Sequence, residues 1–447
     1  MDNRDTLLLA LDNTQQRMRE LIDTLGEERL RVPYHPGVNP PVWEAGHCAF
    51  FYETFVRKPL DDVGSYDPTM DEIWDSFHLD HEDRWNPELF PSMADTLAYS
   101  DAIYRAIRRR IEQKPLTDEA HYLSQYAIFH QNMHIESMIW CRQTEGYPAP
   151  PGTRLAPQEA PQPDPDATGD ALIPAGRYRI GMPAHSPDYA RHDFAFDNEK
   201  PGFEVDLPAF RISRTLVSNG EFRRFVEDGG YQRRELWSQG GRKWLDTERD
   251  LAFGTAESPR IGTQTHPYYW HRTPTGWEER HFDHWRPLPE DFPVKHVTYW
   301  EAEAYCRWAR RRLPTEIEWE VAALGNRPDQ PLRRYPWGDE MDPTRVDMDG
   351  IGLASQPITA LPQGESPFGC RQMLGTLWEW TSDQFLPYDG FSVDMYVFMS
   401  TLQFGSHKVT RGGSCATSSR LIRGTYRQAY MPDRSDAFVG FRTCPDD

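Results

Sequence analysis

The segment spanning residues 148–170, PAPPGTRLAPQEAPQPDPDATGD, constrains the fold of this chain more than any other feature. Proline has no amide hydrogen to give to a helix or a sheet. The stretch also holds almost nothing apolar to bury, so it is expected to run as an extended linker. A chain of 447 residues exceeds what one hydrophobic core usually organises. The expected division is therefore a domain over residues 1–147, a Pro-rich linker over 148–170 and a second domain over 171–447.

Upstream of the linker, apolar residues recur at helical spacing. Residues 5–27 carry Leu7, Leu11, Met18, Leu21, Ile22 and Leu25 on one face, and residues 96–113 carry Leu97, Ile103, Tyr104, Ile107 and Ile111. The run Asn39-Pro40-Pro41 is suited to open a third helix holding Trp43, His47, Phe50, Phe51 and Phe55. A fourth is expected from about 118 to 145. One apolar stripe on each of four helices, with a long connection over 60–95, predicts a four-helix bundle. Downstream of the linker, Gly, Pro and aromatic residues punctuate short segments such as GRYRIGM, PAFRISR and HKVTRGGS. The exception is WEAEAYCRWARRR at 300–312, a helix expected to stop at Leu313-Pro314. The second half reads as an irregular α+β domain, without an internal repeat.

Composition narrows the function. A formal charge of -20, from 49 basic against 69 acidic residues, opposes a phosphate backbone, so no nucleic-acid partner is expected. No apolar run reaches the roughly 20 residues that cross a bilayer. The start, MDNRDTLLLALDNTQQRMREL, continues as an amphipathic helix rather than reading as a signal peptide. A cytoplasmic location with no membrane partner is expected. Cys48, Cys141, Cys306, Cys370, Cys415 and Cys444 lie far apart with no CxxC among them. That argues for reduced, buried thiols and against a zinc ribbon or a disulfide framework.

The fourth expected helix contains FHQNMHIESMIW. His130 and His134, four residues apart, project from one face about a turn from each other, so two imidazoles can reach one metal ion. They fall on the helix's own core stripe, Leu123, Ala127, His130, His134, Ser137 and Cys141. Burying two unpartnered imidazoles there would be costly, and a shared metal offsets that cost. His47, beside Phe50 and Phe51 on a comparable stripe, is the natural third ligand. Glu136 faces elsewhere and is expected to support the site from outside the ligand set. Three neutral imidazoles with open positions suit Fe(II), Zn(II) or Cu(II), and spacing does not choose among them.

HQNMHIE resembles the HxxxHxE iron motif of the ergothioneine-pathway sulfoxide synthases, and the resemblance extends through most of the chain. That family joins a DinB-like four-helix bundle to a domain similar to the formylglycine-generating, or sulfatase-modifying factor, fold, which is C-type-lectin-like. Here IPAGRYRIG, VSNGEFRRFV, PVKHVTYWEAEAYCRWA, RLPTEIEWEVAA, YPWGD, GTLWEWTSD, KVTRGGS and VGFR follow the landmarks of the second domain in order. The resemblance implies Fe(II) as cofactor, held by His47, His130 and His134, with O2 as co-substrate. It also implies a tyrosine of the second domain as proton donor during oxygen activation, matched by Tyr396 in GFSVDMYVFMS; a phenol can deliver that proton. Formylglycine-generating enzymes carry a reactive cysteine pair just after RGGS. In RGGSCATSSRLIRGTYR, Thr417 and Ile422 stand at those positions and Cys415 is offset, so copper-dependent formylglycine formation is not expected.

TYRQAYMPDRSD resembles the family's substrate-binding loop, whose Arg-Asn-Trp-Asp run is matched by Arg427, Gln428, Ala429 and Tyr430. Gln428 keeps the capacity to hydrogen-bond an imidazole or a carboxylate. Tyr430 stands where some members place an Asp that pairs with the amine of γ-glutamylcysteine. Arg84 and Arg434 are candidates for a substrate carboxylate. The implied reaction couples a thiol, cysteine or γ-glutamylcysteine, to C2 of the imidazole of hercynine, trimethylated histidine, giving a sulfoxide. The alternative is a selenoneine synthase, coupling a selenosugar to hercynine: Met133, Met399 and Tyr430 depart from the pattern of the sulfur enzymes, and the CRQTEGYPAP run resembles that sister group. A reading from a different class is a non-catalytic metal- or ligand-binding module on the same folds.

Overall fold

The computed structural model describes residues 3–26, 29–30, 32–154, 167–183, 194–246 and 265–446. The chain is α+β and divides into two compact units. One runs to Pro151 and takes in Phe194, whose ring lies against Tyr122, Tyr126 and Phe129; the other comprises the remaining described residues from Gly152 onward. Most of the expected linker, residues 155–166, lies outside the described residues. Asp170 already opens a strand, Asp170–Ile173, paired antiparallel with Phe210–Ser213.

The first unit is built on four helices, α1 (Asn3–Asp23), α2 (Pro41–Tyr52), α3 (Met93–Gln113) and α4 (Asp118–Glu145). Helix α1 stops short of the expected residue 27 because the chain turns at Thr24 and Leu25, whose amides bond back to Glu20 and Ile22. Pro41 sits in the first turn of α2, where its missing amide hydrogen costs nothing. Past Tyr52 the same helical run widens into a π-helical turn, Glu53–Arg57, before a last short helix at Lys58–Asp61. Ser92 caps α3 by accepting from the Asp95 amide at 3.1 Å, and Thr117 caps α4 by accepting from the Ala120 amide at 3.2 Å. Helices α1 and α2 each pack against both α3 and α4. Their interior holds Leu7, Leu11, Ile103, Ile107, Tyr126 and Ile139, all buried. Along residues 120–144, α4 is buried on most of its circumference, polar positions included. A helix buried all round has to find partners for its polar side chains inside the protein.

The second unit carries short strands around a mixed core. Among the described residues its largest sheet has four strands, β1 (Trp378–Gln384), β2 (Lys408–Arg411), β3 (Arg427–Tyr430) and β4 (Val439–Gly440), in the order β3-β2-β1-β4; only β4 runs parallel to its neighbour. Helices α5 (Tyr299–Ala309) and α6 (Glu316–Leu324) both open on reciprocal caps, Thr298 with Glu301 and Thr315 with Glu318. The expected helix over 300–312 needs correction at its end. Arg310 turns left-handed at φ 54° and Arg311–Arg312 become a strand paired with Cys444–Pro445, with Arg311 tied to Asp170. Sheet pairing and that ion pair override the helical tendency of the arginines. Buried ion pairs stitch this core: Arg411 with Glu316 and Glu320, Arg427 with Glu316, and Arg442 with Glu379. All six cysteines are buried and free. No described helix is long and apolar enough to cross a membrane.

Candidate metal centre

Two helices of the first unit bring three imidazoles to one point. His47 comes from α2, and His130 and His134 from α4; one ring nitrogen of each lies within 4.8 Å of the others. The Nε2 atoms of His130 and His134 are 3.2 Å apart. Among the described residues this is the one cluster of His, Cys, Asp and Glu with metal-ligand spacing. His47 and His130 are buried, whereas His134 keeps 17% of its side chain exposed.

The surroundings fix each ring. His47 Nδ1 lies 2.7 Å from the carbonyl oxygen of Trp74, so Nδ1 carries the proton and Nε2 is left as a lone-pair donor. Gly46 makes that contact possible: a Cβ at this position would come within 2.4 Å of the Trp74 indole. Trp43 stacks on His47 at 4.5 Å and 11°, and Phe51 stacks on His130 at 3.7 Å and 12°. Burial pushes His47 well below the usual imidazole range. The nearby His134 and Arg84 add to this, and the Trp74 carbonyl opposes it. Burial, then His134 and His47, does the same to His130. Both rings are therefore neutral lone-pair donors, the form in which imidazole binds a metal.

One carboxylate at this site escaped the sequence reading. Glu44, fully buried one turn before His47 on α2, accepts a hydrogen bond from His134 Nδ1. Its other oxygen accepts from Ser137 Oγ at 2.7 Å and from Asn39 Nδ2 at 3.3 Å. Burial raises the Glu44 pKa, but His134, Ser137 and Asn39 outweigh it and leave the group below its ordinary value. The signal available in the sequence was the i,i+3 spacing of Glu44 and His47 behind a helix-opening proline. Glu136 is buried on α4 and is no member of the cluster.

Arg84 belongs to the same unit. Its guanidinium lies 3.9 Å from the Trp43 ring centre and donates to Asn39 Oδ1 at 2.7 Å. It also lines a cavity of about 490 Å³ together with Trp85, Phe90, Met93 and Leu97. The other expected site residues stand in the second unit. Tyr396 is half-buried, directly before the short 3-10 helix Val397–Met399. Gln428 and Tyr430 lie two apart on β3 and so share a face; Tyr430 is buried, its ring edge-on to Trp378 and Trp380. Arg434 gives its guanidinium to Asp436 through two hydrogen bonds. Thr417 and Ile422, the residues expected at the places of the formylglycine-forming cysteines, both lie within 3.4 Å of where a Cβ on Gly413 would stand, so the two positions are close in space.

Residues 10–138 match the DinB superfamily, and residues 156–446 match the sulfatase-modifying factor enzyme 1-like domain. The chain is 32% identical to the hercynine oxygenase of Mycolicibacterium smegmatis over 451 residues, covering 99% of each protein. It is 32% identical to the hercynine oxygenase of Mycobacterium tuberculosis over 452 residues, covering 100% of each. A formylglycine-generating enzyme of Thermomonospora curvata is 32% identical over 326 residues, 66% of this chain and 96% of that one. Bundle, second domain and full-length relatives together define an oxidative enzyme, which sets aside the non-catalytic module. The chain belongs to the hercynine oxygenase family, the ergothioneine-pathway sulfoxide synthases that its motifs resemble.

Proposed function

We propose that this protein is an Fe(II)- and O2-dependent sulfoxide synthase that joins a thiol, cysteine or γ-glutamylcysteine, to C2 of hercynine. The observation that carries the reading is the convergence of three imidazoles inside the bundle of a chain related to hercynine oxygenases over its full length. The donor set fits the ion: His47, His130 and His134 offer ring-nitrogen lone pairs to one point, and among the described residues no cysteine or carboxylate joins the cluster. Bound there, Fe(II) would supply the electron-transfer chemistry through which O2 is reduced.

The overall balance is a four-electron oxidation. The C2–H bond of the imidazole and the S–H bond of the thiol are broken and a C–S bond forms. One oxygen atom ends on sulfur and the other leaves as water with the two hydrogens. In this reading Tyr396 Oη gives the proton that the departing oxygen needs. Arg84 offers a fixed cation to a substrate carboxylate, and Gln428 a hydrogen bond to the imidazole or carboxylate of hercynine. Arg434, committed to Asp436, is the weaker of the two arginine candidates.

One observation favours a selenosugar donor and hence selenoneine synthesis. At the position where relatives can hold the amine of γ-glutamylcysteine with an Asp, the chain has Tyr430, a phenol packed against Trp378 and Trp380. Aerobic incubation of the Fe(II)-loaded protein with hercynine and, in parallel, cysteine, γ-glutamylcysteine and a selenosugar separates the readings by product mass. A sulfoxide is expected. A C–Se product alone selects the second reading, and no adduct with any donor overturns both.

A further inference from the structure

A carboxylate sealed inside a helical bundle has to be compensated there, since a buried charge without partners is strongly unfavourable. Glu44 is such a group, with 0% relative exposure. Among the described residues its hydrogen bonds come from an imidazole, a hydroxyl and an amide, and not from a lysine or arginine. Both His134 and Ser137 lie on α4, one turn apart, and both turn to Glu44 on α2. The chain continues outward, because Asn39 donates to Glu44 and accepts from Arg84 at 2.7 Å. Four side chains, Arg84, Asn39, Glu44 and His134, thus form one hydrogen-bonded line ending on an imidazole of the cluster.

We propose that Glu44 is the positioning residue of the metal centre. By accepting the proton on Nδ1 it holds His134 in the tautomer that presents Nε2, and it supplies the buried negative charge that a divalent cation, reached through His134, balances. Of the three ligand rings, His134 most needs such a hold: it is the most exposed, and the stacked aromatic rings that hold His47 and His130 are Trp43 and Phe51. The hydrogen bond to His134 Nδ1 is made by Glu44, a carboxylate outside the HxxxHxE run. This inference rests on the metal-site reading above.

The test is anaerobic titration of the metal-free full-length protein with Co(II), following the d–d absorption, with thermal unfolding of each metal-free variant as a control. Wild type is expected to take up one Co(II) per chain and His134→Ala to lose it. If wild type binds none, or His134→Ala binds as wild type does, the metal-site reading fails and the positioning role falls with it. With both controls as expected, Glu44→Gln should bind Co(II) about 10- to 100-fold more weakly and shift the d–d band, at nearly unchanged melting temperature. Ser137→Ala, which releases one carboxylate oxygen, should move affinity and band in the same direction by less. Wild-type affinity and spectrum in Glu44→Gln would overturn the proposal and leave Glu44 as a tie between α2 and α4. If Glu44→Gln does not fold, a wild-type spectrum and affinity in Ser137→Ala overturns it instead.

Discussion

In the second unit the deeply buried guanidinium groups of Arg411, Arg427 and Arg442 each meet a carboxylate at hydrogen-bond distance, and those ion pairs are closed. In the bundle, His47, His130 and His134 instead bring one ring nitrogen each within 4.8 Å of the others, and burial holds His47 and His130 neutral. Both regions place polar groups where apolar ones would pack more easily. The difference teaches which polar burial is structural. A pair that satisfies itself specifies a fold, whereas three imidazoles whose ring nitrogens converge form a donor set that could hold a metal ion.

The sharpest break in this comparison should come from deleting single imidazoles. His47→Ala, His130→Ala and His134→Ala are each expected to abolish stoichiometric iron and coupling together, because a three-ligand site has no spare donor, while the far-UV circular dichroism stays that of wild type. Glu136→Ala, outside the cluster, should keep its iron. Iron by elemental analysis decides. Full loading in any His variant would remove that residue from the ligand set, and iron loss in Glu136→Ala equal to that in His134→Ala would add Glu136.

How far the sequence reached follows from the physics of each feature. His130 and His134 were legible because helical periodicity places i and i+4 on one face, and His47 because its helix opens at Pro41. Glu44 was missed: its partner is 90 positions away, and only packing of α2 on α4 makes the pair. The end of α5 was missed for the same reason, since Arg311–Arg312 are drawn out of the helix by Cys444–Pro445. The ordered landmarks announced the second fold. Its buried pairing, Arg442 with Glu379 or Arg411 with Glu316, depends on contacts across 63 and 95 residues that no local pattern encodes.

Opening one of the closed pairs sharpens the comparison from the other side. Glu379→Gln leaves the Arg442 guanidinium, 0% exposed, without its counter-charge. Removing one partner of a buried pair costs about 3–5 kcal/mol, so the second unit should melt at a clearly lower temperature. Metal binding by the bundle should not change at temperatures where the variant is folded. Wild-type thermal stability in Glu379→Gln would show that the pair is not what holds this core.

A smaller effect is expected at Tyr396, which carries chemistry rather than packing in the proposed reaction. Tyr396→Phe removes the hydroxyl and keeps the ring, so iron content and substrate binding should survive while coupling falls by about 10²-fold, the usual scale of a general acid. Oxygen consumption would then divert toward simple thiol oxidation. Single-turnover product formation at matched iron loading reads the effect; a rate within about twofold of wild type would take Tyr396 out of the mechanism.

The smallest effect tests whether the two units differ in how they tolerate a neutral imidazole. His296, buried in the second unit, has its Nδ1 3.1 Å from the Ser435 carbonyl. Burial, then the charge of Lys295, pushes its pKa down to about 3, against the pull of Ser435, Glu279 and Ala437. A histidine whose folded pKa lies below its unfolded value of roughly 6.5 contributes its full stability above that value and loses it as pH falls toward the folded pKa. At pH 5 the unfolded chain gains a proton that the folded chain refuses, over about 1.5 pH units, which costs about 2 kcal/mol. His281, also held neutral by burial, acts in the same direction, so the acid sensitivity is shared. His296→Gln keeps a donor for Ser435 and removes the titration. Its drop in melting temperature between pH 7.5 and pH 5 should therefore be smaller than that of wild type, although not zero. Equal drops in the two proteins would mean that His296 is not a source of the acid sensitivity, and that its burial imposes no proton-linked cost on the fold.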